Sequence, residues 1–171
     1  MNNENPTKEF ISCAEGFISW VETPPENSKD EAASALMVLT SLYAGALKLM
    51  SLDIDRQEGV EPDECRVSPD ECKDVYDRLN HLPFTYYQDS DSPLESESES
   101  VFVDIVEDLT DIYQDVAEGM KLYKTDQHEN ALCHWQMTFE YHWGRHCLAA
   151  MRALHIWFQT ESDFDCFTSN N

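Results

Sequence analysis

Glycine and the basic residues are scarce in this chain. Five glycines in 171 residues, with few β-branched runs, leave little material for the repeated tight turns of a barrel or sandwich. Lys and Arg number 11 against 34 Asp and Glu, a formal net charge of -23. Clustered cations are what neutralise nucleic-acid phosphates, and an anionic membrane surface is held in the same way. Neither nucleic acid nor membrane is therefore expected as a partner. The opening MNNENPTKEF lacks the basic and apolar regions of an export signal, so a cytoplasmic location is expected. Cysteines stand at 13, 65, 72, 133, 147 and 166 with no C-x-x-C pair. That excludes a zinc ribbon or thioredoxin-type motif, and free thiols are expected. There is no G-x-S-x-G, no phosphate-binding glycine loop and no H-E-x-x-H, so no catalytic or cofactor-binding residue is assigned and no cofactor is expected.

What is present is helical periodicity. An apolar share of 42% supports one domain over residues 1–171 with its own core. Phe10, Ala14, Phe17 and Val21 recur at helical steps in a first helix over about 7–22, stopped by Pro24 and Pro25. Ser28 and Glu31 form a potential capping box for a second helix, whose wide apolar arc through Leu36, Leu39, Leu42, Ala46 and Met50 suits a central position. The stretch 32–50 has the length of a bilayer span, but Ser34, Ser41 and Lys48 interrupt it and a buried helix is expected. After an acidic loop over 53–67, Ser68-Pro69-Asp70-Glu71 marks a third start, with cap, proline and capping glutamate together.

Residues 81–100 are expected to be irregular. Phe84, Tyr86 and Tyr87 would anchor that segment, and QDSDSPLESESES would form a mobile acidic loop at about 88–100. A phosphorylation target is the alternative for its serines. A fourth helix is expected over about 101–123, and a last one from about 125 to 158, with Trp135, Phe139, Trp143, Ala150 and Leu154 on its inner stripe. Gly144 is placed on the outer face, and a frayed tail at about 160–171. The expected fold is all-α, a five-helix bundle with a long C-terminal helical hairpin and no strands.

The run DLTDIYQDVAEGMKLY followed by ALCHWQMTFEYHWGRHCLAAMRALH resembles a bacterial family, domain-of-unknown-function family 5063. Its members resemble "DLaDIYrDLkeGL" followed by "FxxHWGxHaxxALRALH". The matching residues are Asp108, Leu109, Asp111, Ile112, Tyr113, Asp115 and Gly119, then Phe139, His142, Trp143, Gly144, His146, Ala150, Arg152, Ala153, Leu154 and His155. The resemblance covers about residues 101–158. It implies an all-helical bacterial protein and supplies no activity.

One constellation could carry chemistry. Asp104, Asp108, Asp111 and Asp115 step by four, three and four, within an arc of roughly 60° beside the apolar stripe. His142 and His146 are one turn apart on the next helix. A hairpin turning near residues 124–126 sets Asp108 level with His142, Asp104 with His146, and Asp111 with Phe139. Carboxylates facing an i, i+4 histidine pair suit a metal between bundle helices. The candidate ligands are Asp104, Asp108, Asp111, His142 and His146, and their mixed nitrogen and oxygen set fits zinc, iron or manganese. The same residues could instead form a structural network with Arg145 and Arg152. Function is thus open between two classes. The first expectation is a non-catalytic interaction protein whose acidic surface meets an unknown, basic protein partner. Salt adaptation and mimicry of DNA are blander and sharper explanations of the same charge. The alternative is a metal-binding enzyme or sensor with an Asp/His site between the last two helices. No oligomeric state is implied.

Overall fold

Asn5 opens the first helix, α1 (Pro6–Glu22). Its side chain accepts from the Thr7 backbone N–H at 3.0 Å, and Pro6 takes the first helical position, where a missing N–H costs nothing. The computed structural model describes residues 5–23, 27–54, 65–90 and 99–168. Pro24 and Pro25, most of the first acidic loop and most of the second lie outside these. The remaining elements are α2 (Ser28–Leu49), α3 (Pro69–Leu79), β1 (Tyr86–Ser90), β2 (Ser100–Asp104), α4 (Ile105–Lys124), α5 (His128–Thr138), a π-helical turn over Phe139–Trp143, and α6 (Gly144–Thr168). The last three follow one another without a break, so the helices pack as a five-membered, predominantly α bundle.

Several boundaries follow directly from local chemistry. Ser68 and Glu71 form the expected capping box of α3, each satisfying the other's backbone donor. The cap of α2 is Asn27 rather than the expected Ser28, and it accepts from the Asp30 N–H at 2.9 Å. The segment expected to be irregular instead carries an antiparallel hairpin, with Tyr86 opposite Asp104 and Tyr87 opposite Val103. Aromatic residues in both strands and the valines of β2 explain it, and α4 consequently begins at Ile105 rather than near residue 101. The final helix, in turn, extends to Thr168 instead of fraying from 160.

The bundle is built around α4, not α2. Helix α4 packs against α1, α3, α5 and α6, and twelve of its twenty residues are buried. It ends in a Schellman motif: the Gln127 N–H donates to Leu122 O at 3.1 Å and the Asp126 N–H to Tyr123 O at 3.3 Å. Asp126 takes the positive φ of 62°, a conformation that aspartate tolerates better than most residues. Just beyond, Trp135 donates from Nε1 to Val116 O at 3.1 Å. A Cβ at Gly119 would lie 2.1 Å from that nitrogen, so glycine is what lets α5 close on α4. Gln136 is buried and donates to the carbonyls of Leu49 and Leu52, tying the end of α2 to α5.

Helix α2 is long and apolar enough to cross a membrane by length and composition. Its Ala35, Leu39, Leu42, Ala46 and Leu49 are buried in the core, as the expectation of a buried helix required. Glu31 falls on the same helical stripe and is completely buried, with neither carboxylate oxygen partnered. Burial pushes its pKa up to about 7.

Two expectations follow. Gly119→Ala should cost about 1–3 kcal/mol in denaturant unfolding, because the Trp135 indole must be displaced. For Glu31, the folded state holds the proton more tightly than the unfolded chain. Stability is therefore full below the ordinary carboxyl pKa and falls as pH rises toward 7. Urea unfolding of Glu31→Gln should show a gain of about 1–2 kcal/mol over the native chain at pH 8, shrinking toward zero near pH 5.

Candidate metal centre

Helix α4 presents its aspartates to the π turn and to the start of α6. Asp108 and Asp115 are buried, and Asp111 between them is half-exposed. His142 Nδ1–H donates to Asp115 Oδ2 at 2.6 Å, and His146 Nδ1–H donates to Asp108 Oδ1 at 2.6 Å. The register differs from the simple hairpin expectation: Asp108 faces His146, one turn further along, and Asp115 takes His142. The turn at residues 125–127 is centred later than expected, and the π turn adds a residue before His146; both push the pairing in this direction.

The proton on each Nδ1 has a consequence at the other end of the ring. With Nδ1 carrying the proton, Nε2 is the nitrogen left to act as a ligand atom. Both Nε2 atoms point at one carboxylate, His146 at 3.8 Å and His142 at 4.0 Å from Asp111 Oδ2. Those distances are too long for hydrogen bonds. His146 Nε2 is buried without a hydrogen-bond partner. One ligand atom from each of Asp111, His142 and His146 lies within 4.8 Å of the others. Burial pushes the Asp111 carboxyl up from its ordinary range, while His146 and His142 pull it down.

A further shell stands behind the aspartates. Asp108 uses its second oxygen to accept from the Tyr87 hydroxyl on β1, so Asp108 is held from both sides. Burial, then that hydrogen bond, pushes the Tyr87 phenol far above its ordinary pKa. The His134 ring meets the backbone carbonyl of Asp115 at 3.0 Å. Neither Tyr87 nor Asp115 was among the expected site residues. Asp115 is signalled by its place in the stripe, one turn beyond Asp111; Tyr87 has no signal in a segment expected to be irregular.

Asp104 does not join the group. It caps α4, accepting from the Val106 and Glu107 N–H groups at 2.8 and 3.3 Å, and it accepts from Tyr76 O–H at 2.8 Å. That bond holds the Tyr76 phenol up at about 12. With α4 starting at Ile105, Asp104 is the position a cap needs. Arg152, offered as a partner for the same aspartates, instead donates to Asp89 on β1 at 3.3 Å.

The π turn supplies the histidine geometry, and Gly144 permits it. Gly144 is buried, not on the outer face, and a Cβ there would lie 2.4 Å from Phe139 O. Trp143 beside it is fully buried and packs against Phe139 and Phe10.

The protein is thus an α-helical bundle that carries a two-histidine, one-carboxylate cluster between its central and final helices. The family model for a domain of unknown function, DUF5063, matches residues 2–158, and the chain belongs to that family. Its fold is similar to the crystal structure of protein BF1032 from Bacteroides fragilis. The TM-score is 0.71 at 25% identity, over 89% of this chain and 91% of that one. No curated protein matches the chain.

The π turn can be tested by Gly144→Ala. The added methyl should cost about 1–3 kcal/mol and break the His142–Asp115 hydrogen bond, read as a change in the His142 ring nitrogen shifts by NMR.

Proposed function

We propose that this protein binds a divalent transition metal ion through Asp111, His142 and His146. The observation that carries this is the convergence of two histidines, each donating from Nδ1 to an aspartate, on one carboxylate that neither of them hydrogen-bonds. A purely structural network would close those gaps, because a buried ring nitrogen without a partner costs about 1–3 kcal/mol. An ion bonded at about 2.0–2.2 Å draws its ligand atoms to roughly 3–3.5 Å from one another. Asp111, half-exposed, is the side chain free to make that small closing movement.

The outer residues support the same conclusion. Metal-bound histidines generally donate their second ring N–H to a carboxylate or carbonyl, which fixes the tautomer and raises ligand basicity. Asp108 and Asp115 are in that position, and Tyr87 orients Asp108. Two imidazoles and a carboxylate suit zinc, iron(II) or manganese. Calcium and magnesium, which take oxygen ligands, would have no use for the histidines. The exposed side of His142 leaves room for water on the ion, the feature that separates a working metal site from a closed structural one. The -23 charge of the chain also favours arrival of a cation. This reading replaces the protein partner of the first expectation with an ion and needs no catalytic step.

The test is elemental analysis and calorimetric titration of the full chain with zinc, iron(II) and manganese supplied in turn. One equivalent of one of these is expected. His142→Ala and His146→Ala should abolish it, and Asp108→Asn should weaken it about 10–100-fold through loss of orientation. Less than about a tenth of an equivalent with all three ions would overturn the proposal. So would full occupancy in His146→Ala.

A further inference from the structure

A concavity lies between β1 and α6, with Tyr87 in its lining. It measures about 280 Å³. Phe84, Tyr87, Ala153, Ile156 and Trp157 line it, together with the polar side chains of Gln88 and Arg152. Ala153 is buried, whereas Ile156 remains 46% exposed. The lining is apolar and aromatic except for Gln88 and the charged Arg152, the composition expected of a small-molecule site in which a few polar groups fix orientation.

We propose that this hollow binds a small apolar monocarboxylate, its hydrocarbon body between the aromatic walls and its carboxylate on Arg152. The guanidinium carries five donors in a planar fork, and Nη1 contacts Asp89 at 3.3 Å in a pair whose arginine is 65% exposed. Such a long, solvated pair contributes little, so it does not prevent a better-placed carboxylate from taking a two-point hold. The negative charge of the whole chain does not decide the sign of the ligand, because salt screens exposed charges beyond about 10 Å, whereas Arg152 meets the ligand directly. Asp89 sets the strength of the site, since it competes for the same head group.

This site does not depend on the metal centre, and its test is run with the full chain stripped of metal by EDTA. Octanoate and octylamine, which share a hydrocarbon tail and differ in the sign of the head, are titrated by calorimetry. Octanoate should bind one to one and at least tenfold more tightly than octylamine. Arg152→Gln, an exposed substitution that leaves the core untouched, should weaken octanoate at least tenfold and erase the preference. Asp89→Asn, which releases the guanidinium, should tighten octanoate several-fold. Equal affinity for the two probes, no saturable binding of octanoate, or an unchanged octanoate affinity in Arg152→Gln would each overturn the proposal.

Discussion

Two buried carboxylates on the central helix impose the main constraint on this structure. Asp108 and Asp115 sit where α4 meets the final helix, and a carboxylate in such a place is stable only when its oxygens are hydrogen-bonded. The partners are His146 and His142, with the Tyr87 hydroxyl added to Asp108. That requirement fixes how far the final helix slides along α4 and which way its histidines turn. It also gives the β hairpin a task, because β1 is what brings Tyr87 to the bundle.

The close approach of these helices is made possible by the absence of two side chains. Gly119 admits the Trp135 ring against α4, and Gly144 admits the Phe139 carbonyl within the final helix. Trp135 and Trp143 are both fully buried and both pack on Phe10, the first edge-to-face and the second stacked, so α1 is fastened to the same point. Glycine and tryptophan thus act as complementary shapes. The bulk of one fills the space left by the other, at the density of a protein interior.

Much of the helical framework was legible in the sequence because apolar periodicity and capping chemistry are local. The stripe through Phe10, Ala14 and Phe17, and the Ser68–Glu71 box, need no knowledge of neighbours. The hairpin at Tyr86–Asp104 was not legible, since its pairing joins residues across an intervening acidic stretch and neither strand alternates for long. At the site, the sequence placed Asp108, Asp111, His142 and His146 on two facing helices. It misassigned Asp104, whose capping role depends on where α4 begins. The partners of the two histidines also escaped it: pairing across a hairpin depends on the turn's true centre and on an extra residue in the π turn, and neither leaves a periodic trace.

The π turn divides the last helix into two parts that are out of phase. At about 100° per residue in an α-helix, one additional residue rotates everything after Trp143 relative to everything before Phe139. The first part can therefore set Trp135 and Gln136 against α4 and the end of α2. The second part sets Cys147, Ala150 and Leu154 into the core while keeping His146 toward Asp108. A continuous α-helix with the same residues could align only one of these faces at a time. By going out of step with itself once, a single rod docks like two separately oriented segments, with no loop between them to loosen the join.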